Sequence, residues 1–123
     1  NKNTNQLLYS GAYNPLYIVR NNKLLEYKAD RKSVGYTENK FSFTNHLIQL
    51  QKDDVLYLSS DGYPDQFGGP KGKKLKSKYF KELLLANHKK PMEEQQKFLH
   101  TYINKWKGDI EQLDDICIMG VRI

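Results

Sequence analysis

At 123 residues and 14.4 kDa the chain has the length of one domain. Apolar residues at 38% and aromatics at 12% suffice for a packed core, which excludes wholesale disorder, and no apolar run approaches the roughly 18 residues of a membrane span. Twenty basic against 14 acidic side chains leave a net charge of +6, which favours nucleic acid only where the cations share a face.

The first half predicts strands joined by tight turns. Gln6–Ser10 reads as a short strand, and Gly11-Ala12-Tyr13-Asn14-Pro15 as a turn. Leu16–Arg20 is apolar and β-branched, and Asn21-Asn22 suits a two-residue hairpin loop before Lys23–Lys28. Phe41–Thr44 and His46–Gln51 alternate in character. After Asp53-Asp54 comes Val55–Ser60, whose nearly continuous apolar character predicts a strand buried on both faces. Gly68–Gly72 lacks phosphate-loop spacing and predicts a mobile surface loop.

The second half changes period. Ser77–Asn87 carries Tyr79, Phe80, Leu83 and Leu84 at helical spacing, with Ser77 as the expected N-cap. Pro91 fits the first turn of a second helix with an apolar stripe from Met92 to Trp106, closed by Gly108. Ile116–Ile123 predicts a last strand. Hairpins followed by two antiparallel helices and a strand give an α+β class, a mostly antiparallel β-sandwich with flanking helices. The absence of an initiating Met and the apolar ending predict a piece of something longer, with open sheet edges that would favour a homodimer.

Chemistry has few places to reside. Cys117 has no disulfide partner and, between Ile116 and Ile118, is expected to be a small buried hydrophobe. His46, His88 and His100 share no metal-ligand spacing, with His46 expected on a strand facing solvent. Six lysines from Lys71 to Lys81 form one basic patch, but the chain has only three arginines. The carboxylates carry more information. Asp61 ends the strongest strand ahead of Gly62, Asp65 follows by four residues, and Asp114-Asp115 precede the last strand. Acidic residues at the ends of two apolar strands can converge on one hard cation, which takes oxygen ligands.

The run Leu56-Tyr57-Leu58-Ser59-Ser60-Asp61-Gly62-Tyr63-Pro64-Asp65-Gln66-Phe67-Gly68, with Leu113-Asp114-Asp115-Ile116-Cys117-Ile118 downstream, resembles the C-terminal half of a SpoIIE/RsbU-type phosphatase domain. These are bacterial metal-dependent protein serine/threonine phosphatases of the type 2C (PPM) superfamily. Ser10-Gly11-Ala12-Tyr13-Asn14-Pro15-Leu16 is similar to that family's turn before Asn-Pro, and Asp53-Asp54 to its Gly-Asp before the metal strand. The four motifs stand in register along the whole chain.

The resemblance implies two antiparallel sheets between helices, all 123 residues being the C-terminal part of one such domain. It implies a binuclear Mn²⁺ or Mg²⁺ centre with Asp61, Gly62 and Asp114 at the metal and Asp115 or Asp65 as outer support or alternative ligand. Hydrolysis of phosphoserine or phosphothreonine on a regulatory protein would then use a metal-activated water and no protein nucleophile. Upstream sensor domains in the same chain and a cytoplasmic location belong to the same expectation, with no nucleic acid and no membrane contact. Cys117 replaces the Thr that usually follows the Asp pair, and Tyr13 stands where His, Ala or Asn is common. The family's first metal motif, an Asp near Gly-His-Gly, does not occur in these residues, so the chain alone is expected to be inactive and to bind metal weakly or not at all. The alternatives are a catalytically silent regulatory domain of the same fold and a basic nucleic-acid-binding module.

Overall fold

The structure is a computed structural model that describes residues 1–31 and 43–123. Its centre is a hairpin dictated by local sequence. Asn21 and Asn22 adopt left-handed backbone, φ 50° and 60°, as a two-residue turn requires, and pair strands β2 (Leu16–Arg20) and β3 (Lys23–Tyr27) in antiparallel register. Strand β5 (Val55–Ser59) lies against the other side of β2, and β8 (Ile118–Arg122) against β5, giving the antiparallel order β3-β2-β5-β8. A second sheet pairs β1 (Gln6–Tyr9) with β4 (His46–Gln49). A small hairpin joins β6 (Phe67–Gly68) to β7 (Lys73–Lys74). Phe41 and Ser42 of the alternating Phe41–Thr44 run lie outside the described residues, and Phe43 and Thr44 form no strand.

Alternation along β2 and β5 splits the core in two. Tyr17, Val19, Val55 and Tyr57 point to helices α1 (Ser77–Asn87) and α2 (Met92–Lys107), where they meet Phe80, Leu84, Leu99 and Ile103. Leu16, Ile18 and Leu56 point the other way, onto Tyr9 and Ile48 of the second sheet. The predicted double burial of Val55–Ser60 therefore holds only through Tyr57. Leu58 is 41% exposed beside its cross-strand partner Met119.

One buried ion pair fixes how β2 meets the turn before β5. Asp54 is 1% exposed and accepts Arg20 Nε at 2.9 Å, Arg20 Nη2 at 2.7 Å and the Gln51 N–H at 2.8 Å. Burial would raise its carboxyl, but the Arg20 hydrogen bonds, the Gln51 N–H and the Arg20 charge outweigh that and hold it below the usual range. Preceding it, Asp53 occupies left-handed backbone at φ 70°.

Several local expectations differ from the structure. Ser77 is the first helical residue, not the cap. The cap position belongs to Lys76 at φ 76°, ψ 152°, and no side chain caps the helix. The run expected as a mobile surface loop belongs to the β6–β7 hairpin: Gly68 ends β6 and residues 69–72 form the turn. Gly68 is what permits this, since a Cβ there would lie 2.0 Å from the Trp106 carbonyl oxygen, and the Gly69 N–H donates to that oxygen at 2.8 Å. The last strand begins at Ile118, so Cys117 sits in a loop and is exposed. His46 is half-buried, its ring against those of Tyr9 and Tyr27 at 5.8 Å each. Among the described residues, no helix is long and apolar enough to cross a membrane.

Candidate metal centre

Because β5 and β8 run antiparallel with Ser59 opposite Ile118, the residues after β5 and before β8 emerge at the same end of the sheet. Asp61 leaves β5 there, and Asp114 belongs to the segment that enters β8. Gly62 allows the two segments to touch. A Cβ at that position would stand 2.3 Å from the Asp115 carbonyl oxygen and 2.9 Å from its carbonyl carbon. Only a residue without a side chain fits so near another backbone.

Ser60 fastens the contact. Its N–H donates to the Cys117 carbonyl at 2.9 Å, its hydroxyl donates to the Asp115 carbonyl at 2.8 Å, and the same hydroxyl accepts the Cys117 N–H at 3.0 Å. These bonds capture the Asp115–Cys117 backbone as a loop. Sequence reasoning passed over Ser60; its place directly before an Asp-Gly at a strand end is the signal that could have found it.

After Asp61 the chain turns tightly, with the Asp65 N–H donating to the Asp61 carbonyl at 3.0 Å, which returns the Asp65 side chain toward Asp61. Carboxylate oxygens of Asp61, Asp65 and Asp114 all lie within 4.8 Å of one another. Asp115 is not in that group; its backbone carbonyl faces Ser60 and Gly62. Three carboxylates at this spacing are a hard, all-oxygen donor set of the kind Mg²⁺ and Mn²⁺ accept. Lys74 is the nearby cation, Nζ 3.8 Å from Asp65 Oδ1.

The centre lies between two hollows. One of about 300 Å³ is lined by Gly62, Asp65, Asp114, Lys74 and Glu111 among others. The second, about 330 Å³, is bordered by Asp61, Ser60, Arg31 and the Tyr13-Asn14-Pro15 turn. That turn thus stands beside Asp61, with Tyr13 61% exposed. Gln66, 5% exposed, braces the outer wall. Its side chain donates to the Glu111 carbonyl at 3.3 Å, and its own carbonyl accepts Trp106 Nε1 at 2.9 Å. Cys117, His88 and His100 are not part of the carboxylate group.

The sequence profile of the Stage II sporulation protein E (SpoIIE) family matches residues 1–123. Among solved structures, the SiaA-PP2C domain of Pseudomonas aeruginosa superimposes with a TM-score of 0.90 at 29% identity, over 98% of this chain and 47% of that one. The phosphatase domain of the cell fate determinant SpoIIE from Bacillus subtilis gives a TM-score of 0.65 at 21% identity, over 96% and 51%. Its Mn-presoaked form gives 0.64 at 20%, over 96% and 50%. This chain therefore spans about half the length of those domains. No curated protein is a significant match by sequence.

Proposed function

The chain belongs to the SpoIIE family, and from that premise we propose that residues 1–123 are the C-terminal part of a PPM-type, metal-dependent protein serine/threonine phosphatase domain. The observation that carries the proposal is the convergence of Asp61, Asp65 and Asp114 within 4.8 Å at one end of the sheet. Asp61 and Asp114 are the metal carboxylates, and Gly62 lets the two ligand-bearing segments meet. Asp65 is close enough to be a third ligand, whereas Asp115 supports the loop through its backbone.

Mn²⁺ or Mg²⁺ held there supplies Lewis-acid activation of water and neutralises phosphoryl charge. The residues of this chain position that chemistry. Ser60 holds the Asp114 segment in register with Asp61. Lys74 partly balances the negative charge and adds a cation at the rim of the hollow where a phosphate monoester would enter. A further carboxylate from the other half of the domain completes the centre, so these 123 residues alone bind metal weakly and turn nothing over. The substrate is a phosphoserine or phosphothreonine of a regulatory protein in the cytoplasm, and sensor domains precede the phosphatase in the same protein.

The test is Mn²⁺-dependent dephosphorylation of a phosphoserine peptide by the whole protein that carries this chain. Asp61→Asn and Asp114→Asn should each lower kcat by about a hundredfold or more, and Asp115→Asn by no more than a few-fold. Full activity in Asp61→Asn would overturn the assignment. Robust Mn²⁺-dependent turnover by residues 1–123 alone would overturn the half-domain proposal. A whole protein that binds Mn²⁺ without turnover would leave a silent interaction domain in its place.

A further inference from the structure

From Gln66 to Lys81 the chain has six lysines and no acidic residue. Lys81 is paired with Glu26 at 3.3 Å, while Lys71, Lys73, Lys74, Lys76 and Lys78 are exposed. The β6–β7 hairpin gathers Lys71, Lys73, Lys74 and Lys76 around a hollow of about 310 Å³ whose apolar lining includes Trp106 and Tyr79. The hairpin's other side is the carboxylate hollow, and Lys74 borders both. Two backbone bonds lock the lysine segment to the carboxylate turn: the Leu75 N–H donates to the Gln66 carbonyl at 3.0 Å, and the Lys76 N–H to the Pro64 carbonyl at 2.8 Å.

Two of these lysines, Lys76 and Lys78, stand where local energetics disfavour them. Lys76 holds φ 76°, ψ 152°, a backbone region that is nearly glycine's alone and is strained for any residue with a side chain. The first turn of α1 has no acidic residue, although a helix N-terminus favours anions and disfavours cations. Local rules broken without a gain in stability mark a functional surface.

We propose that the β6–β7 hairpin is the docking surface for an acidic stretch flanking the phosphorylated residue of the protein substrate. The proposal rests on the phosphatase function above. A phosphorylated acidic segment would place its phosphate at the carboxylate-held metal and its flanking carboxylates among the lysines. Lysines act there as point charges that steer and retain an anion without demanding one geometry. Nucleic acid fits less well, because base edges are read chiefly by the bidentate fork of arginine. Arg20 is bound to Asp54, Arg122 to the His88 and Lys90 carbonyls, and Arg31 lines the hollow on the Asp61 side.

The test compares the Mn²⁺-loaded whole protein on three substrates: a phosphoserine peptide with Asp and Glu flanks, the same peptide with Asn and Gln flanks, and p-nitrophenyl phosphate. Wild type should favour the acidic peptide by about tenfold in kcat/KM, through KM, which is what a few exposed charge pairs supply. The triple variant Lys71→Gln, Lys73→Gln, Lys76→Gln should lose that preference and keep its rates on the other two substrates. Lys74 stays intact because it touches Asp65. Lys76→Gly should melt higher, its backbone relieved, yet show a preference reduced about twofold.

No preference in wild type, or one that survives the triple variant, would overturn the proposal. Failure on every substrate would count against the phosphatase function, and docking is then decided without turnover. Saturable binding of a dye-labelled, unphosphorylated acidic peptide to the whole protein, read by fluorescence anisotropy and lost in the triple variant, would support it, and no binding would overturn it. Lysine-dependent binding of a single-stranded oligonucleotide in preference to the acidic peptide would overturn it in favour of nucleic acid.

Discussion

Replacing Gly62 by Ala would put a methyl carbon 2.3 Å from the Asp115 carbonyl oxygen and 2.9 Å from its carbon. Carbon and oxygen in ordinary contact stand about 3.3 Å or more apart, so the segment carrying Asp114 must retreat by about 1 Å. It cannot do so freely. Both neighbours are backbone, and Ser60 already ties that backbone at 2.8, 2.9 and 3.0 Å. Overpacking of this kind costs about 1–3 kcal/mol, and each weakened hydrogen bond adds about 0.5–1.5 kcal/mol. A total on the order of 3 kcal/mol corresponds, for a folding unit about twice the length of this chain, to a Tm lower by about 6–12 °C. The activity loss should be steeper, because a 1 Å error in a catalytic group costs about a hundredfold. Calorimetry and Mn²⁺-dependent turnover of the whole protein read the two effects. Gly72→Ala is the control: nothing lies within 4 Å of the added carbon, but φ is +59°, so about 1 kcal/mol of strain is expected with turnover unchanged. A Gly62→Ala protein that melts within 2 °C of wild type, or turns over like it, would refute the account of how the two segments meet.

Arg20→Met would leave the Asp54 carboxylate buried with the Gln51 N–H as its remaining hydrogen bond, at a cost of about 3–5 kcal/mol at pH 7 read from the urea midpoint. Since the folded state holds Asp54 below its ordinary 3.8, the pair's contribution is complete above that value and is lost as pH falls through the folded one. The gap between wild type and variant should narrow as pH falls below 3.8; a gap that stays constant down to acid unfolding would contradict the pairing. At the alkaline end, burial pushes Tyr17 and Tyr57 up to about 12. Folded chains then keep protons that unfolded chains release near pH 10, so stability should fall from pH 10 to 12 by about 2–3 kcal/mol per tyrosine. Phenolate absorbance from these two should rise together with loss of circular dichroism, and full ionisation near pH 10 with the helices intact would refute it. Cys117 should react stoichiometrically with Ellman's reagent without denaturant, because it is exposed; labelling that requires urea would restore the buried-strand expectation.

Elements whose shape is set by their own residues were legible in the sequence. The Asn21-Asn22 hairpin, the α1 range and the end of α2 at Gly108 follow from turn chemistry and helical period, which act within a few residues. What escaped depends on distant partners. The β6–β7 hairpin has strands of two residues each, too short to show alternation, and it is held by Gly68 and Gly69 against Trp106 in α2. Cys117 sits within an alternating run that predicts a strand, but the Ser60 hydroxyl captures that backbone before pairing with β5 begins. At the site, Asp61 and Asp114 were chosen by motif and do come together. Asp65 joins them through the tight turn after Asp61, whereas the neighbouring Asp115 is outside the group and meets Ser60 through its backbone carbonyl, a distinction that spacing alone does not encode.

The partners in the carboxylate group are unequal in the time of their appearance. Asp61 and Asp65 come from a single turn, while Asp114 lies 53 residues beyond Asp61. At about 5–20 residues per second on a ribosome, Asp61 waits roughly 3–10 s for Asp114 to be made. Throughout that interval β5 has β2 on one side and an open edge on the other, because β8 is the last strand of its sheet to be synthesised. The nascent chain therefore cannot close this centre early. Long-range pairing of β5 with β8 is the slow kind of contact, and it gates the assembly of the site.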